Sequence, residues 1–235
     1  MRKIYIILFL VFFSGVSSAN VILNGTRYIY RSDDREIFVQ LRNVGDTEEL
    51  VQSWVDDGDI KSTPETSKAP FFLSPPVVKI PAMGGQQVSI QHRGTAHLPG
   101  DRESVFYLNV LDIPPVPSNL IGKNIMQFAI RSRVKLFYRP SSISENINSA
   151  AKKLYVKHKG NNLVIKNISP LHLTIDKIKT KNNNTLYNSN LMIAPFSEGE
   201  ITLRKDAGVT TGIRVKITYI DDFGGFNEIH KNIEE

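Results

Sequence analysis

Apolar residues in this chain recur at every second position or in short β-branched runs, and no segment of about ten residues holds a helical spacing. A core made from such a sequence has to be made from strands. The runs Val21-Ile22-Leu23, Tyr28-Ile29-Tyr30, Ile37-Phe38-Val39-Gln40-Leu41, Leu50-Val51-Gln52-Ser53-Trp54-Val55, Gln87-Val88-Ser89-Ile90 and Val105 to Val110 predict strands in the first half. Turn-forming clusters separate them, among them Arg31-Ser32-Asp33-Asp34 and Asn43-Val44-Gly45-Asp46. The second half continues in the same style with Lys153 to Val156, Asn162 to Lys166, His172 to Ile178, Glu200 to Leu203 and Gly212 to Ile220. No internal sequence repeat is visible. Many short strands divided by turn signals predict β-sandwich architecture.

A boundary falls at Tyr138-Arg139-Pro140-Ser141-Ser142. Proline removes a ladder donor, and Arg139 before it is pushed to an extended conformation. The division gives residues 20–140 and 144–235, each close to the roughly 100 residues of an immunoglobulin-like sandwich. The expected fold class is therefore all-β: two immunoglobulin-like β-sandwich domains arranged around a cleft.

The start of the chain reads as an address. Arg2 and Lys3 precede an apolar run from Ile4 to Phe13, and Ser14-Gly15-Val16-Ser17-Ser18-Ala19 follows. Ser17 and Ala19 sit where a small-x-small cleavage site needs them, so residues 1–19 are expected to be a secretory signal peptide. The run is shorter than the roughly 20 residues a membrane span needs. No membrane insertion is expected, and the mature chain should begin at Asn20. Losing Arg2 and Lys3 takes the formal charge from +6 to +4. An exported chain rarely meets nucleic acid, so that partner is not expected. Cysteine is absent, which excludes disulfide scaffolds, thiolate metal sites and cysteine nucleophiles.

The longest strand candidate runs from Asn124 to Tyr138. Met126, Phe128, Ile130, Ser132, Val134 and Leu136 fall on one face, and Gln127, Ala129, Arg131, Arg133 and Lys135 on the other. Such a strand outruns the usual length of about 5–6 residues. Two readings stay open: Met126, Phe128 and Ile130 fill the core, or they lie on an exposed edge strand that pairs with another chain.

Six words in the sequence resemble one family. Asp101-Arg102-Glu103-Ser104-Val105-Phe106-Tyr107-Leu108-Asn109-Val110, followed by Ile113-Pro114-Pro115, is similar to the DRES-aromatic-N signature of periplasmic pilus (fimbrial) chaperones. Lys135-Leu136-Phe137-Tyr138-Arg139-Pro140 matches that family's KLFYRP run, and Thr26-Arg27 its TR pair. Gln52-Ser53-Trp54-Val55, Phe72-Leu73-Ser74-Pro75-Pro76 and Tyr219-Ile220-Asp221-Asp222-Phe223-Gly224-Gly225 resemble three further segments. The words span the mature chain in the family's order.

The resemblance implies a periplasmic chaperone that binds, folds and caps pilus subunits by donating a strand to them, then delivers them to an outer-membrane usher. By resemblance, Arg27 and Lys135 bind the subunit's C-terminal carboxylate, through a guanidinium fork and a point charge. Met126, Phe128 and Ile130 are the donor-strand contacts. Lys135 is odd-numbered and the donors even, so either two strand faces are used or a bulge intervenes. Glu103, Arg139 and Asp222 fall where the family has an interdomain salt bridge, with Asp221 as a neighbouring candidate. Arg131 and Arg133 read as solvated charges. The loop Leu111 to Lys123 resembles the short-loop group; many of those relatives carry a cysteine pair in the second domain, which this chain lacks. Self-pairing of the free chain through its donor strand is left open.

Other constellations give no chemistry. His92 and His97 lack a third convergent ligand, so no metal is expected. No nucleophile elbow or phosphate loop occurs, and neither catalysis nor a cofactor is expected. The pairs Asp33-Asp34, Asp56-Asp57 and Asp221-Asp222 read as surface turns, and Lys179 to Asn190 as a polar hairpin or loop. The alternative function, an exported pilus subunit or adhesin-like sandwich, would need a C-terminal strand motif and would usually carry cysteines.

Overall fold

The computed structural model describes residues 20–94, 97–116, 118, 122–203 and 208–234. The signal-peptide expectation for 1–19 lies outside them. Among the described residues, sixteen strands and one short helix carry the chain. The first half contains β1 (Val21–Leu23), β2 (Arg27–Arg31), β3 (Ile37–Asn43), β4 (Glu49–Asp56), β5 (Phe71–Ser74), β6 (Val77–Ile80), β7 (Gly85–His92), β8 (Ser104–Ile113) and β9 (Ile130–Arg139). The second contains α1 (Ile147–Lys152), β10 (Tyr155–Lys159), β11 (Asn162–Lys166), β12 (Leu173–Thr180), β13 (Thr185–Ile193), β14 (Glu198–Thr202), β15 (Arg214–Ile220) and β16 (Phe226–Glu234).

A four-stranded sheet, β1-β3-β7-β5, faces a five-stranded one, β2-β9-β8-β4-β6. Their inner faces bury one core, with Leu41, Val51, Ile80, Ile90, Leu108 and Leu136 almost wholly withdrawn from water. The alternation of β3 shows why: Val39 and Leu41 point in, while Phe38, Gln40 and Arg42 point out. The second half curls a seven-stranded sheet, β13-β12-β15-β16-β10-β11-β14, round a separate core that includes Leu154, Leu163, Ile165, Leu173, Ile175 and Ile217. Two packed units follow, as the strand pattern predicts. α1 escapes that pattern because it is a single capped turn and a half: the Asn146 side chain accepts the Ser149 amide at 2.9 Å, and Ala150 and Ala151 are buried. Four strands also escape it. β5 and β6 are only four residues each, on either side of Pro75-Pro76. β13 and β16 carry mostly polar outward faces.

Both sandwiches turn the same corner in the same way. In the first, Asn43 donates to the carbonyls of Thr47, Ile80 and Pro81 and accepts the amide of Gly45. In the second, Asn167 donates to the carbonyls of Leu171, Ile193 and Ala194 and accepts the amide of Ser169. Their own amides reach Gly84 and Ser197, each just after a positive-φ residue, Met83 at 58° and Phe196 at 53°. A buried primary amide thus satisfies three loop carbonyls that water cannot reach.

Asn167→Ala is expected to destabilise the chain by about 3 kcal/mol in chemical denaturation, because several buried carbonyls lose their donor. Asn167→Asp should do no better, since an ionised carboxylate cannot donate.

Candidate functional site

The two units are joined by a buried ion network. Arg139, the last residue of β9, bonds Glu103, the residue just before β8 (Nε to Oε1, 2.6 Å). Its two terminal nitrogens bond both oxygens of Asp222 at 2.8 Å each, in the turn between β15 and β16. Glu103 also accepts the His172 amide at 2.8 Å, and its own amide reaches Pro170 O at 2.9 Å. Glu103 and Arg139 are 4% and 6% exposed. Burial opposes the Arg139 charge, but the bonds and charges of Asp222 and Glu103 more than offset it, so its pKa is raised. Asp221 is otherwise engaged: it accepts the amides of Phe223 and Gly225 and the side-chain amide of Asn227, which holds the turn that presents Asp222. His172 was not singled out by sequence; its contact with Glu103 spans 69 positions and has no local signal.

Arg27 and Lys135 stand side by side beyond this network. β2 and β9 run parallel, and Arg27 pairs with Lys135 across them. Both reach into a cleft of about 560 Å³ between the two units, lined also by Tyr107, Thr174, Ile220 and Phe226. Lys135 Nζ bonds Thr174 Oγ1 at 3.3 Å, and one Arg27 terminal nitrogen bonds Ile220 O at 3.3 Å. Arg27 Nε is buried with no partner. Among the described residues, neither side chain has a carboxylate within ion-pair range. Burial, helped by the neighbouring Arg27 charge, lowers the Lys135 pKa to about 8. Burial lowers the Arg27 pKa too, with Asp222, Asp221 and Glu103 pulling part of the way back. Gly224 floors the cleft: its φ is +85°, and a Cβ there would lie 2.5 Å from Thr26 Oγ1. The arrangement is a half-buried double cation lacking an anion.

One flank of the cleft is an unpaired strand edge. β8 pairs with β9 along its full length, from Ser104↔Tyr138 to Asp112↔Ile130. β2 covers only Lys135 to Arg139 on the other side. Ile130 to Val134 therefore carry free backbone groups on that side. The expected strand from Asn124 needs correction: the ladder begins at Ile130. Its partner β8 ends at Ile113, and Pro114-Pro115 cannot extend it, so residues 124–129 have no neighbour to pair with. Met126 and Phe128 lie in that extension, 81% and 72% exposed, and Ile130 is 37% exposed. The core reading of these three residues is thereby overturned. No register shift interrupts the β8–β9 ladder, so Lys135 and the even-numbered residues occupy opposite faces. Leu136 goes into the first core, while Arg133, Lys135 and Arg139 face the cleft side.

Two further expectations change, at Arg133 and at its partner Asp56, while Arg131 stays exposed. Arg133 is not merely solvated: it bonds Asp56 twice, at 2.6 and 2.9 Å, with its guanidinium 3.6 Å from the Tyr107 ring centre. Asp56 is buried at the end of β4 rather than on a surface turn. Arg131 bonds Ile60 O at 2.6 Å and lies near the Trp54 ring. The bonds to Ile60 and Asp56 join residues 71 and 77 positions apart, beyond local pattern. His92 packs among the rings of Tyr30, Phe71 and Tyr138, an aromatic role that its spacing from His97 did not suggest.

The fold and cleft define a class: two immunoglobulin-like sandwiches clasped at an angle, with an open strand edge that ends on paired cations. Residues 20–144 match the family described as pili and flagellar-assembly chaperone, PapD N-terminal domain. Residues 149–231 match pili assembly chaperone PapD, C-terminal domain. The chain belongs to the PapD-like pilus chaperone family. It is 42% identical over 222 residues to a probable fimbrial chaperone, YehC, of Escherichia coli, covering 94% of this chain and 90% of that one. It is 35% identical to the chaperone protein MrkB of Klebsiella pneumoniae, covering 95% and 96%. The crystal structure of the YadV chaperone superposes with a TM-score of 0.76 at 32% identity, covering 91% of this chain and all of that one. The reading as a pilus subunit or adhesin is not favoured, since both halves match chaperones.

Removing Arg139 strands Glu103 as a buried, unpaired charge. Arg139→Met should cost about 3–5 kcal/mol of unfolding free energy. Lys135 should behave in the opposite way. Its folded pKa of about 8 lies below the ordinary 10.5, so between those values the unfolded chain binds more protons and stability rises with pH. Lys135→Met is therefore expected to be more stable than the native chain below pH 8, with the difference shrinking as pH climbs toward 10.5. Urea unfolding of both proteins across that range tests it.

Proposed function

We propose that this chain is exported by cleavage of residues 1–19 and acts in the periplasm as a pilus-subunit chaperone of the short-loop group. It would use residues 20–140 and 144–235 as its two domains and perform no catalysis. The observation that carries this reading is the half-covered β9. Its free edge from Ile130 to Val134 stops where β2 begins, and Arg27 and Lys135 stand at that stop.

A subunit strand added along the free edge would end with its C-terminal carboxylate at Arg27 and Lys135. It would therefore run parallel to β9, since the terminus lies toward the C-terminal end of that edge. Charge-assisted bonds of this kind contribute roughly 1.5–3 kcal/mol each. The anchor reads a chain end rather than a side chain, so it suits many subunits. Met126, Phe128 and Ile130 then fill the groove of an incomplete subunit sandwich. Burying them contributes on the order of 5–9 kcal/mol before the costs of association. Glu103, Arg139 and Asp222 hold the domain angle on which that geometry depends. A subunit capped in this way no longer offers an aggregating edge, and handover to an outer-membrane usher follows. The same edge leaves self-pairing available to the free chain.

Co-expression with a candidate subunit, followed by measurement of subunit recovered from the periplasm, tests the proposal. Arg27→Ala and Lys135→Ala should each abolish recovery while circular dichroism of the free chain stays native. Phe128→Glu should do the same. Undiminished recovery with both cleft variants would remove the carboxylate anchor from the account.

A further inference from the structure

A second place in the molecule also lacks a counter-ion, with the opposite sign. Glu49, the first residue of β4, is 0% exposed, and Asp112, near the end of β8, is 6% exposed. Glu49 Oε1 accepts Thr47 Oγ1 at 2.8 Å and the Asn20 side-chain amide at 2.7 Å. Asp112 Oδ2 accepts the amide of Val21, the residue after Asn20, at 3.1 Å. The remaining oxygens, Glu49 Oε2 and Asp112 Oδ1, are buried and unpartnered. Among the described residues no Lys, Arg or His pairs with either carboxylate. Burial, followed by the nearby Glu49 charge, raises the Asp112 pKa despite the amide bond from Val21. Buried carboxylates without a cation are costly.

The surroundings are shaped to hold Asn20. Val44 donates its amide to Asn20 O at 2.8 Å. Gly45 lies directly against the Asn20 side chain, where a Cβ would fall 2.6 Å from Asn20 Cγ. The Asn43 corner fixes this loop by accepting the Gly45 amide. Asn20 is also the residue at which the signal-peptide reading places the new chain start.

We propose that the α-ammonium released at Asn20 by signal-peptide removal is the counter-ion of the buried Glu49–Asp112 pair, so that the first sandwich reaches full stability only after processing. The inference rests on the cleavage reading made above. In the precursor the Asn20 nitrogen is a neutral amide carrying one hydrogen. Hydrolysis of the Ala19–Asn20 bond by water leaves a carboxylate on Ala19 and an ammonium on Asn20, whose side chain already bonds Glu49 and whose neighbour Val21 already bonds Asp112. A chain that must cross a membrane unfolded would then carry two uncompensated buried charges until its leader is removed on the far side.

The test uses the exported protein, with intact mass to establish its first residue. One alanine inserted between Ala19 and Asn20 displaces the ammonium by one residue. In the native background this should lower the Tm of the first sandwich by about 5 °C or more. In Asp112→Asn, which keeps an acceptor for the Val21 amide, the same insertion should cost less than about 1 °C. Equal losses in the two backgrounds, or no loss in either, would overturn the proposal. A second readout covers the case in which Asp112→Asn does not fold. The α-amine of the folded native chain should react with an amine-directed ester at neutral pH at least about tenfold more slowly than in the Glu49→Gln chain, because one unit of raised pKa removes nine-tenths of the free amine. Equal rates overturn the proposal. A mass showing another first residue overturns both this inference and the cleavage reading, whereas the expected mass without coupling overturns this inference alone.

Discussion

The grip of Arg139 on Glu103 and Asp222 is the contact on which the rest of the molecule depends. It is the point where the first sandwich, the second sandwich and β9 meet, and its Arg139 and Glu103 are almost wholly withdrawn from water. A guanidinium suits this place because its planar fork can bond both oxygens of one carboxylate and still reach a second. Without it Glu103 would be a charge in a dry interface, and the angle between the sandwiches would lose its only three-point support from ion pairs among the described residues. Lys135 stands four residues earlier on the same strand, on the same face, so the cleft inherits its geometry from that clasp. Surface ion pairs are worth little, but here the Glu103 bond is buried and the Asp222 pair is bidentate and half-buried, so the usual discount does not apply in full.

β9 carries three tasks because a strand has two faces and an edge. Its even residues Val134 and Leu136 close the first core. Its odd residues Arg133, Lys135 and Arg139 face the cleft and bond Asp56, Thr174 and Asp222 in turn. Its uncovered edge points away from β8. The period of two was legible in the sequence, and so was the separation of Lys135 from the apolar set. Where the ladder starts was not. That depends on the neighbour running out at Ile113, and a strand's partner cannot be read from the strand itself. The same reason hid the bonds from Arg133 to Asp56 and from His172 to Glu103: each joins residues whose nearness is a product of the sheet order.

The corner asparagines show the limit from the other side. The two sandwiches repeat a corner held by Asn43 and Asn167, matched in its backbone bonds down to the positive-φ residue three positions after the Ile80 and Ile193 carbonyls. No repeat is visible between Asn43-Val44-Gly45-Asp46 and Asn167-Ile168-Ser169-Pro170 beyond the asparagine. Only one side chain is constrained by the chemistry, because most of its partners are backbone groups, which every residue supplies. A structural repeat fixed by one amide can therefore leave almost no trace in sequence, whereas the strand alternation, which needs an apolar residue at every second site, leaves a strong one.

The free chain is left with unmet needs in one region. Arg27 and Lys135 lack an anion, the edge from Ile130 to Val134 lacks a strand, and Met126 and Phe128 lack cover. Each lowers the stability of the isolated protein, and on the proposed function each would be satisfied by the same kind of object, a chain end in extended conformation with apolar space beside it. A partner that met only one need would gain little: an anion alone leaves the apolar residues wet, and an apolar surface alone leaves the cations unpaired. Discrimination would arise from that conjunction, since the binding free energy would be realised fully only when carboxylate, backbone and groove arrived together in one register. The two cores and the Arg139 clasp supply the stability that lets these groups remain unsatisfied until then. A protein of this kind is therefore best understood as one whose binding surface is unstable by design of its sequence and whose scaffold is stable enough to keep it so.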